Sequence, residues 1–191
     1  MQYIAWTYDL RELKLVKKIV LLSDTHGHID DRILAYVALA DEVWHAGDIG
    51  DLKVTDALAA VKPLRAVYGN IDGREARLSF EENVFFSLEG INFFMTHIGG
   101  PAGKYTPRVR ELLDAHKPAV LICGHSHILK VMQVKNRSML HLNPGAAGVQ
   151  GFHHMRTMLR FEINEGKLQN MEVVELGTRG KGLAKTVQRT N

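Results

Sequence analysis

Residues 18–31 read KIVLLSDTHGHIDD, an apolar run that leads directly into a cluster of polar side chains. The run 19–22 is typical of a strand buried on both faces, and Asp24 and His26 follow it. In an extended chain these two residues would point to the same side, so both could bind one metal ion. A metal ion would explain why a core strand ends in a carboxylate and an imidazole, since a buried charge needs a partner. A helix-capping loop in which His26 has no function is the alternative that these residues leave open.

The same pattern recurs along the chain, where several apolar segments end in a polar cluster and continue into a helix. Apolar strands that alternate with helices indicate an α/β fold whose central strands are covered on both faces. Sites in such folds lie at the carboxyl ends of the strands, so we expect the clusters to meet. Their donor residues are, in chain order, Asp24, His26, Asp48, Asn70, His97, His125 and His127.

Capping and turn signals place other elements. We predict a helix over 30–40 with one of its first two aspartates as cap, and another that begins after Thr106. Hairpins are predicted to turn at Glu89-Gly90 and within 164–167. Because hairpins add antiparallel strands, the sheets should be mixed.

The seven donors supply two carboxylates, one amide and four imidazoles, a set that suits manganese, iron, zinc or nickel better than calcium or magnesium. Seven donors are too many for one tetrahedral zinc, and two ions that share a carboxylate would use them all. His125 and His127 repeat the spacing of Asp24 and His26, so each pair could converge on a metal. Two divalent ions with two carboxylates and a bridging hydroxide keep a small net positive charge, which suits an anionic phosphate.

In this order the motifs resemble those of the calcineurin-like metallophosphoesterases. The motifs are Asp24-x-His26, Gly47-Asp48-x-x-Asp51, Gly69-Asn70-x-Asp72, His97 and Gly124-His125-x-His127. The compact length and the segment LNPGA at 142–146 resemble the small bacterial and archaeal phosphodiesterase branch, which is related in fold to a retromer subunit. The resemblance covers residues 18–176.

The resemblance implies a four-layer α/β/β/α sandwich with two mixed β-sheets. It also implies that Asp24, His26, Asp48 and His127 hold one metal and that Asp48, Asn70, His97 and His125 hold the other. We therefore predict a hydrolase that cleaves phosphodiesters by attack of a metal-bridging hydroxide, with Asp48, Asn70 and His127 as catalytic residues. Its cofactors would be two divalent ions, Mn²⁺ first and Zn²⁺, Fe²⁺ or Ni²⁺ as alternatives.

Ile71 departs from the family pattern. The family often has a histidine there, which protonates the leaving oxygen, although relatives in the small branch often lack it as well. An aliphatic side chain cannot donate a proton, so we expect slow hydrolysis of esters with poor leaving groups. The departure also removes the histidine that Asp72 would orient, and we retain Asp72 and His28 as candidate substrate contacts.

Two other functions use the same fold. A phosphomonoesterase is one, although the missing proton donor counts against it. A non-catalytic interaction module like the retromer subunit is the other. A module of that kind tends to lose metal ligands, whereas all seven positions here carry competent donors.

The remaining notable side chains are predicted to have structural roles. His45 would be a satisfied core histidine, and Cys123 a small buried hydrophobe. The pair His153-His154 could reach phosphate, but we favour a solvated loop. Asn143 would belong to a turn beneath the site, and His116 and His141 would be structural.

Length and composition fit a single domain, since the chain has 191 residues of which 46% are hydrophobic. One cysteine excludes an internal disulfide, and the sequence contains neither a secretory signal nor a membrane-spanning run, so we expect a cytoplasmic protein. We predict one domain over 18–176, an N-terminal extension over 1–17 and a basic flexible tail over 177–191. The net charge of +3 comes from that tail, so nucleic acid is not an expected partner and a small phosphoester is.

Overall fold

The structure is a computed structural model, and it describes residues 16–180. Its strands are β1 (Lys17–Leu22), β2 (Glu42–His45), β3 (Leu64–Ala66), β4 (Asn83–Leu88), β5 (Ile91–Thr96), β6 (Val120–Ile122), β7 (Lys130–Val134), β8 (Met139–Asn143), β9 (Met155–Asn164) and β10 (Lys167–Thr178). Its α-helices are α1 (Asp31–Ala38), α2 (Leu52–Ala59), α3 (Arg74–Ser79) and α4 (Pro107–His116), and a 3₁₀ turn covers Lys135–Arg137.

The strands form two mixed sheets, as the hairpin signals predict. The first has the order β10-β9-β1-β2-β3, in which β1, β2 and β3 are parallel, β9 is antiparallel to β1, and β10 is antiparallel to β9. The second has the order β4-β5-β6-β8-β7, in which β5, β6 and β8 are parallel. The carboxyl ends of the parallel strands are where the polar clusters of the sequence begin.

Three apolar clusters separate four layers. Ile19 and Leu21 of β1 face the second sheet, where they join a core that includes Trp44 and Phe93. The alternate residues of β1 face outward and pack with α1 and α2, while α4 covers the outer face of the second sheet through Val109 and other apolar side chains. Because strand side chains alternate between faces, one apolar strand serves two cores. The predicted α/β/β/α sandwich is confirmed.

Most predicted elements are present. The Asp30 side chain caps α1 by accepting the N–H of Ile33, and the Thr106 side chain caps α4. The β4–β5 hairpin turns at Glu89-Gly90, as predicted, with both residues at positive φ. Helix α3 was not predicted; it has six residues and begins after Gly73, which provides no side-chain cap.

The C-terminal strand β10 extends beyond residue 176, the predicted end of the domain. Strand β10 continues to Thr178, and the N–H of Arg179 donates to the carbonyl of His154, so ordered structure passes the predicted limit at residue 176. The predicted extension and tail lie outside the described residues, except for residues 16–17 and 177–180. Between residues 16 and 180, none of the helices is long and apolar enough to cross a bilayer.

Candidate metal centre

Six of the seven predicted donors form two groups at the carboxyl ends of the parallel strands. The first group is Asp24, His26 and His127, and the second group is Asp48, His97 and His125. Within each group the potential ligand atoms lie within 4.8 Å of one another. The division follows the one that the resemblance implied. His125 and His127, whose spacing would also allow them to share an ion, fall in different groups.

Five of the seven donor residues have a left-handed backbone conformation and do not lie on extended strands. Strand β1 ends at Leu22 and β6 ends at Ile122, before the first ligand of each motif. The φ angles are positive at five of the donor residues: Asp24 (54°), His26 (47°), Asp48 (54°), His125 (68°) and His127 (55°). The argument that an extended chain points Asp24 and His26 the same way was therefore wrong. A left-handed conformation costs on the order of 1–2 kcal/mol per residue, and such strain is typical of functional loops.

The first group is centred on the fully buried carboxylate of Asp24. Its Oδ1 lies 3.2 Å from Nε2 of His127, which in turn lies 3.2 Å from Nε2 of His26. Its Oδ2 accepts the backbone N–H of His125 at 3.1 Å. One carboxylate oxygen is thus held by the backbone, and the other faces the two imidazoles.

Asp48 lies between the two groups. Its Oδ1 lies 3.1 Å from Nε2 of His97 and accepts the N–H of Ile71, also at 3.1 Å. Its Oδ2 lies 3.9 Å from Nε2 of His26, a member of the first group. This position is the one that a carboxylate shared between two ions would need.

Unpartnered buried atoms indicate that a cation fits this centre. Nδ1 of His97 donates to the carbonyl of Ala46 at 2.7 Å, so the ring presents the lone pair of Nε2 to the site. That nitrogen lies 4.0 Å from Oδ1 of Asp24, and both atoms are buried without a hydrogen-bond partner. Buried acceptors that face one another are unfavourable unless a positive charge lies between them. The mixed oxygen and nitrogen donor set is suitable for a divalent transition metal.

The pKa values of His97 and Asp48 show the same need for positive charge at this centre. Burial lowers the pKa of His97, but the close approach of Asp48 and the negative charges of Asp24 and Asp48 outweigh that effect and raise it. Burial raises the pKa of Asp48, but the close approach of the His97 ring outweighs that effect and lowers it. The carboxylates therefore stabilise a cation at the point where they meet His97.

Two glycines allow the loops to approach each other. A Cβ on Gly124 would lie 2.0 Å from Oγ of Ser23, and a Cβ on Gly69 would lie 2.1 Å from Oδ1 of Asp48. No side chain fits at either distance. This explains why a glycine directly precedes Asn70 and His125 in their motifs.

The side chain of Asp72 binds backbone groups of the motif loops and does not belong to either donor group. Its buried carboxylate accepts the backbone N–H groups of Ile49 at 3.1 Å, Gly50 at 2.8 Å and Gly69 at 2.7 Å. Both oxygens are used, and they tie the second motif loop to the third. The predicted substrate contact is therefore replaced by a positioning role.

Asn70 is exposed and lines a hollow together with His97 of the second group, and a residue that the sequence reasoning missed holds its loop. Arg77 of α3 donates to the carbonyls of Asp72 at 2.7 Å and Gly69 at 3.2 Å, and its guanidinium lies 4.4 Å from the ring centre of Tyr68. The helix-forming run after Gly73 was the signal that could have revealed α3 and, with it, Arg77.

His28 lies outside both groups. Its Nε2 lies 3.0 Å from Oδ2 of Asp30, which also accepts a hydrogen bond from Arg156 at 2.8 Å. Since Asp30 caps α1, His28 belongs to the support of this helix. The substrate contact expected for His28 stays a prediction.

The other predicted structural roles agree with the contacts. His45 is fully buried between Oγ1 of Thr25 at 2.9 Å and the N–H of Gly47 at 3.2 Å, and burial lowers its pKa to about 4. His141 contacts Tyr105 and Cys123, and burial lowers the pKa of its ring to about 4.

Cys123 and Asn143 also match their predicted roles. Burial raises the pKa of the Cys123 thiol to about 12, which keeps it unreactive. Asn143 supports the last motif by donating to the carbonyl of Gly124 at 2.8 Å.

The pair His153-His154 divides between two environments. His154 is exposed, as a solvated loop predicts. His153 is half-buried, and its ring lies edge-on to that of His127, with 5.2 Å between the centroids. For His153 the predicted solvated loop was wrong.

Solved structures with this fold include an archaeal phosphodiesterase, 22% identical with a TM-score of 0.66, where the match covers 83% of this chain and 99% of the other. A phosphoesterase predicted in Streptococcus pneumoniae is 19% identical with a TM-score of 0.58, over 84% and 98% of the two chains. Vps29 from Entamoeba histolytica, complexed with Zn²⁺, is 16% identical with a TM-score of 0.61, over 83% and 98%. These identities establish a shared fold.

Family membership rests on the sequence itself. No curated protein sequence matches this chain significantly. The model of the calcineurin-like phosphoesterase superfamily domain matches residues 18–166, which includes every motif and both groups of donors. The chain therefore belongs to the calcineurin-like phosphoesterase superfamily.

Proposed function

We propose that this protein is a phosphodiesterase that uses two divalent metal ions. The observation that carries the proposal is the pair of adjacent donor groups with Asp48 between them, in which buried acceptor atoms of Asp24 and His97 have no hydrogen-bond partner. When bound, two such ions supply positive charge for the phosphate and activate water for in-line attack.

The seven donor residues would divide between the two ions. Asp24, His26 and His127 would hold one ion, and His97, His125 and the amide oxygen of Asn70 the other, with Asp48 shared. We place Mn²⁺ first, because a mixed oxygen and nitrogen set suits it, and retain Zn²⁺, Fe²⁺ and Ni²⁺ as alternatives. A Zn²⁺ complex of a Vps29 with the same fold supports a divalent ion.

The substrate would enter beside the second group. A hollow there is lined by Tyr68, Asn70, Arg77 and His97, among other residues. Asn70 and the guanidinium of Arg77 offer this hollow polar groups that suit a small phosphoester, while Glu82, which also lines it, pairs with Arg108. We include a cytoplasmic setting in the proposal, since the single cysteine is a buried free thiol.

Ile71 favours diesters over monoesters. Its backbone N–H is used by Asp48, and its aliphatic side chain is 47% exposed where the family often places a proton-donating histidine. Monoesters with alkoxide leaving groups depend most on that proton. The archaeal phosphodiesterase with this fold supports the same choice.

The test compares a diester and a monoester on the full chain loaded with Mn²⁺ or Zn²⁺. Bis(p-nitrophenyl) phosphate should be hydrolysed faster than p-nitrophenyl phosphate. Asp48→Asn should lose on the order of 100-fold or more of the diester activity, since it removes a shared metal ligand. Asp51→Asn is the matched control, because Asp51 is an exposed cap of α2 outside both groups.

Two results would contradict the proposal. A chain that binds metal and hydrolyses neither ester would instead be an interaction module. A chain that prefers the monoester would be a phosphomonoesterase.

A further inference from the structure

Four buried side-chain atoms between residues 16 and 180 have no hydrogen-bond partner, and the metal centre explains only two of them. The explained atoms are Oδ1 of Asp24 and Nε2 of His97, which face the donor groups. The other two are Nδ1 of His127 and Nδ1 of His153. Unpartnered buried nitrogens are uncommon, so their occurrence on two neighbouring rings needs an explanation.

These two nitrogens face the same small volume. A Cβ on Gly151 would lie 2.1 Å from Nδ1 of His127 and 3.2 Å from Nδ1 of His153. The two rings meet edge to face, with an interplanar angle of 72°. Only a residue without a side chain leaves this space to the two imidazoles.

The protons on the two rings are complementary. Nε2 of His153 lies 3.1 Å from the carbonyl oxygen of Gly148, which can only accept, so this nitrogen carries the hydrogen and Nδ1 of the neutral ring has a lone pair. His127 points Nε2 toward Asp24 and His26, and a metal held by this group would bind the lone pair of that nitrogen. The hydrogen of the His127 ring would then be on Nδ1. A donor on His127 would thus face an acceptor on His153.

We infer that His153 is a positioning residue, whose Nδ1 accepts a hydrogen bond from Nδ1–H of His127, directly or through one water molecule, and so holds Nε2 of His127 toward the metal. Metal-binding histidines generally donate their second ring N–H to such a partner. The inference rests on the metal centre of the proposed function.

Two amide substitutions separate this role from simple anchoring of the loop. In His153→Asn the side-chain oxygen can occupy the place of Nδ1, which keeps an acceptor for His127 and loses the bond to Gly148. In His153→Gln the longer amide can reach the carbonyl of Gly148 and no longer offers the acceptor. His154→Asn and His154→Gln are the matched controls on the exposed neighbour.

The measurement is the affinity of the full chain for Mn²⁺, obtained from a titration that is monitored by electron paramagnetic resonance. We expect the Mn²⁺ affinity of His153→Asn to stay near that of the wild type. The affinity of His153→Gln should fall about 10–100-fold at one of the two sites. Nitrogen NMR of the Zn²⁺-loaded protein should show hydrogen on Nδ1 of His127. Both His154 variants should bind as the wild type does.

Several outcomes would overturn the inference. A reversed order, with His153→Gln near the wild type and His153→Asn weakened, would mean that His153 only anchors its loop. Equal affinities, or hydrogen absent from Nδ1 of His127, would also exclude the bond. Because the readout is metal binding, a chain that shows the expected order and hydrolyses no phosphoester would disprove the proposed function and leave this inference standing.

Discussion

Nε2 of His97 lies 3.1 Å from Oδ1 of Asp48, and the opposite nitrogen of the same ring donates to the carbonyl of Ala46. The backbone hydrogen bond fixes which nitrogen carries the hydrogen, and the lone pair is left facing a carboxylate. The two side chains are therefore placed to bind a cation together. Their contact also explains why a protonated His97 is stabilised when no metal is bound.

The first prediction concerns Ile71. General-acid assistance is typically worth about 10²–10⁴ in rate, and its value grows with the basicity of the leaving oxygen. The wild type should therefore show a steep dependence of rate on leaving-group pKa over a series of aryl and alkyl diesters. Ile71→His should flatten this dependence, with its benefit on alkyl esters and almost none on nitrophenyl esters.

A shallow dependence in the wild type would contradict this account of Ile71, because another residue would then already donate the proton. Binding of Mn²⁺ is the control for the variant. It should be unchanged, since the substitution alters only the side chain and the contact to Asp48 is made by the backbone N–H.

The second prediction concerns the close approach at Gly124. A Cβ there would lie 2.0 Å from Oγ of Ser23 and 2.8 Å from Oδ2 of Asp24. Gly124→Ala should therefore lower the free energy of unfolding by about 1–3 kcal/mol, as overpacking does, and weaken metal binding at the first group.

Gly73→Ala is the matched control for urea unfolding, because no atom lies within 4 Å of a Cβ at Gly73. Gly73→Ala should lower the free energy of unfolding by less than Gly124→Ala does, and it should leave metal binding unchanged. Equal effects of the two substitutions would mean that the contact at Gly124 does not limit the site.

The third prediction is a pH dependence that arises from His141. Burial lowers the pKa of this ring to about 4 in the folded protein, against 6.5 in the unfolded chain. As the pH falls from 6.5 to 4 the unfolded state takes up the proton first, so the free energy of unfolding falls with it. The stabilisation is complete above pH 6.5, and its loss amounts to about 3 kcal/mol at most.

Urea unfolding of the metal-free protein checks this dependence. His141→Asn should have a shallower decline of stability between pH 6.5 and 4, because asparagine does not titrate there. Above pH 7 the difference between the two proteins should be constant. Parallel declines at acid pH would show that His141 is not the group responsible.

Local patterns were sufficient for the α/β class and for the positions of the donors, whereas the four layers were implied by the family resemblance. The apolar run 19–22 predicts a strand that is buried on both faces, and the residue types that follow the strands indicate candidate ligands. The conformation of those ligands was not predictable in this way. Asp24 and His26 have positive φ in a loop whose N–H groups donate to the carbonyls of Gly47 and Asp48, and no local pattern records these contacts.

The supporting residues were missed or misassigned for the same reason. Asp72 was taken as a substrate contact, and only the fold shows that backbone N–H groups from two loops use its carboxylate. His153 was placed in a solvated loop, although that loop returns to the ring of His127. Both roles depend on segments that are distant in the chain.

Metal stoichiometry tests the central claim most directly. Elemental analysis of the full chain after saturation with Mn²⁺ and removal of free ions should give two equivalents per chain, and Asp48→Asn should lose most of both because its carboxylate lies between the groups. A wild-type value that stays at one equivalent under saturation would contradict the two-metal account.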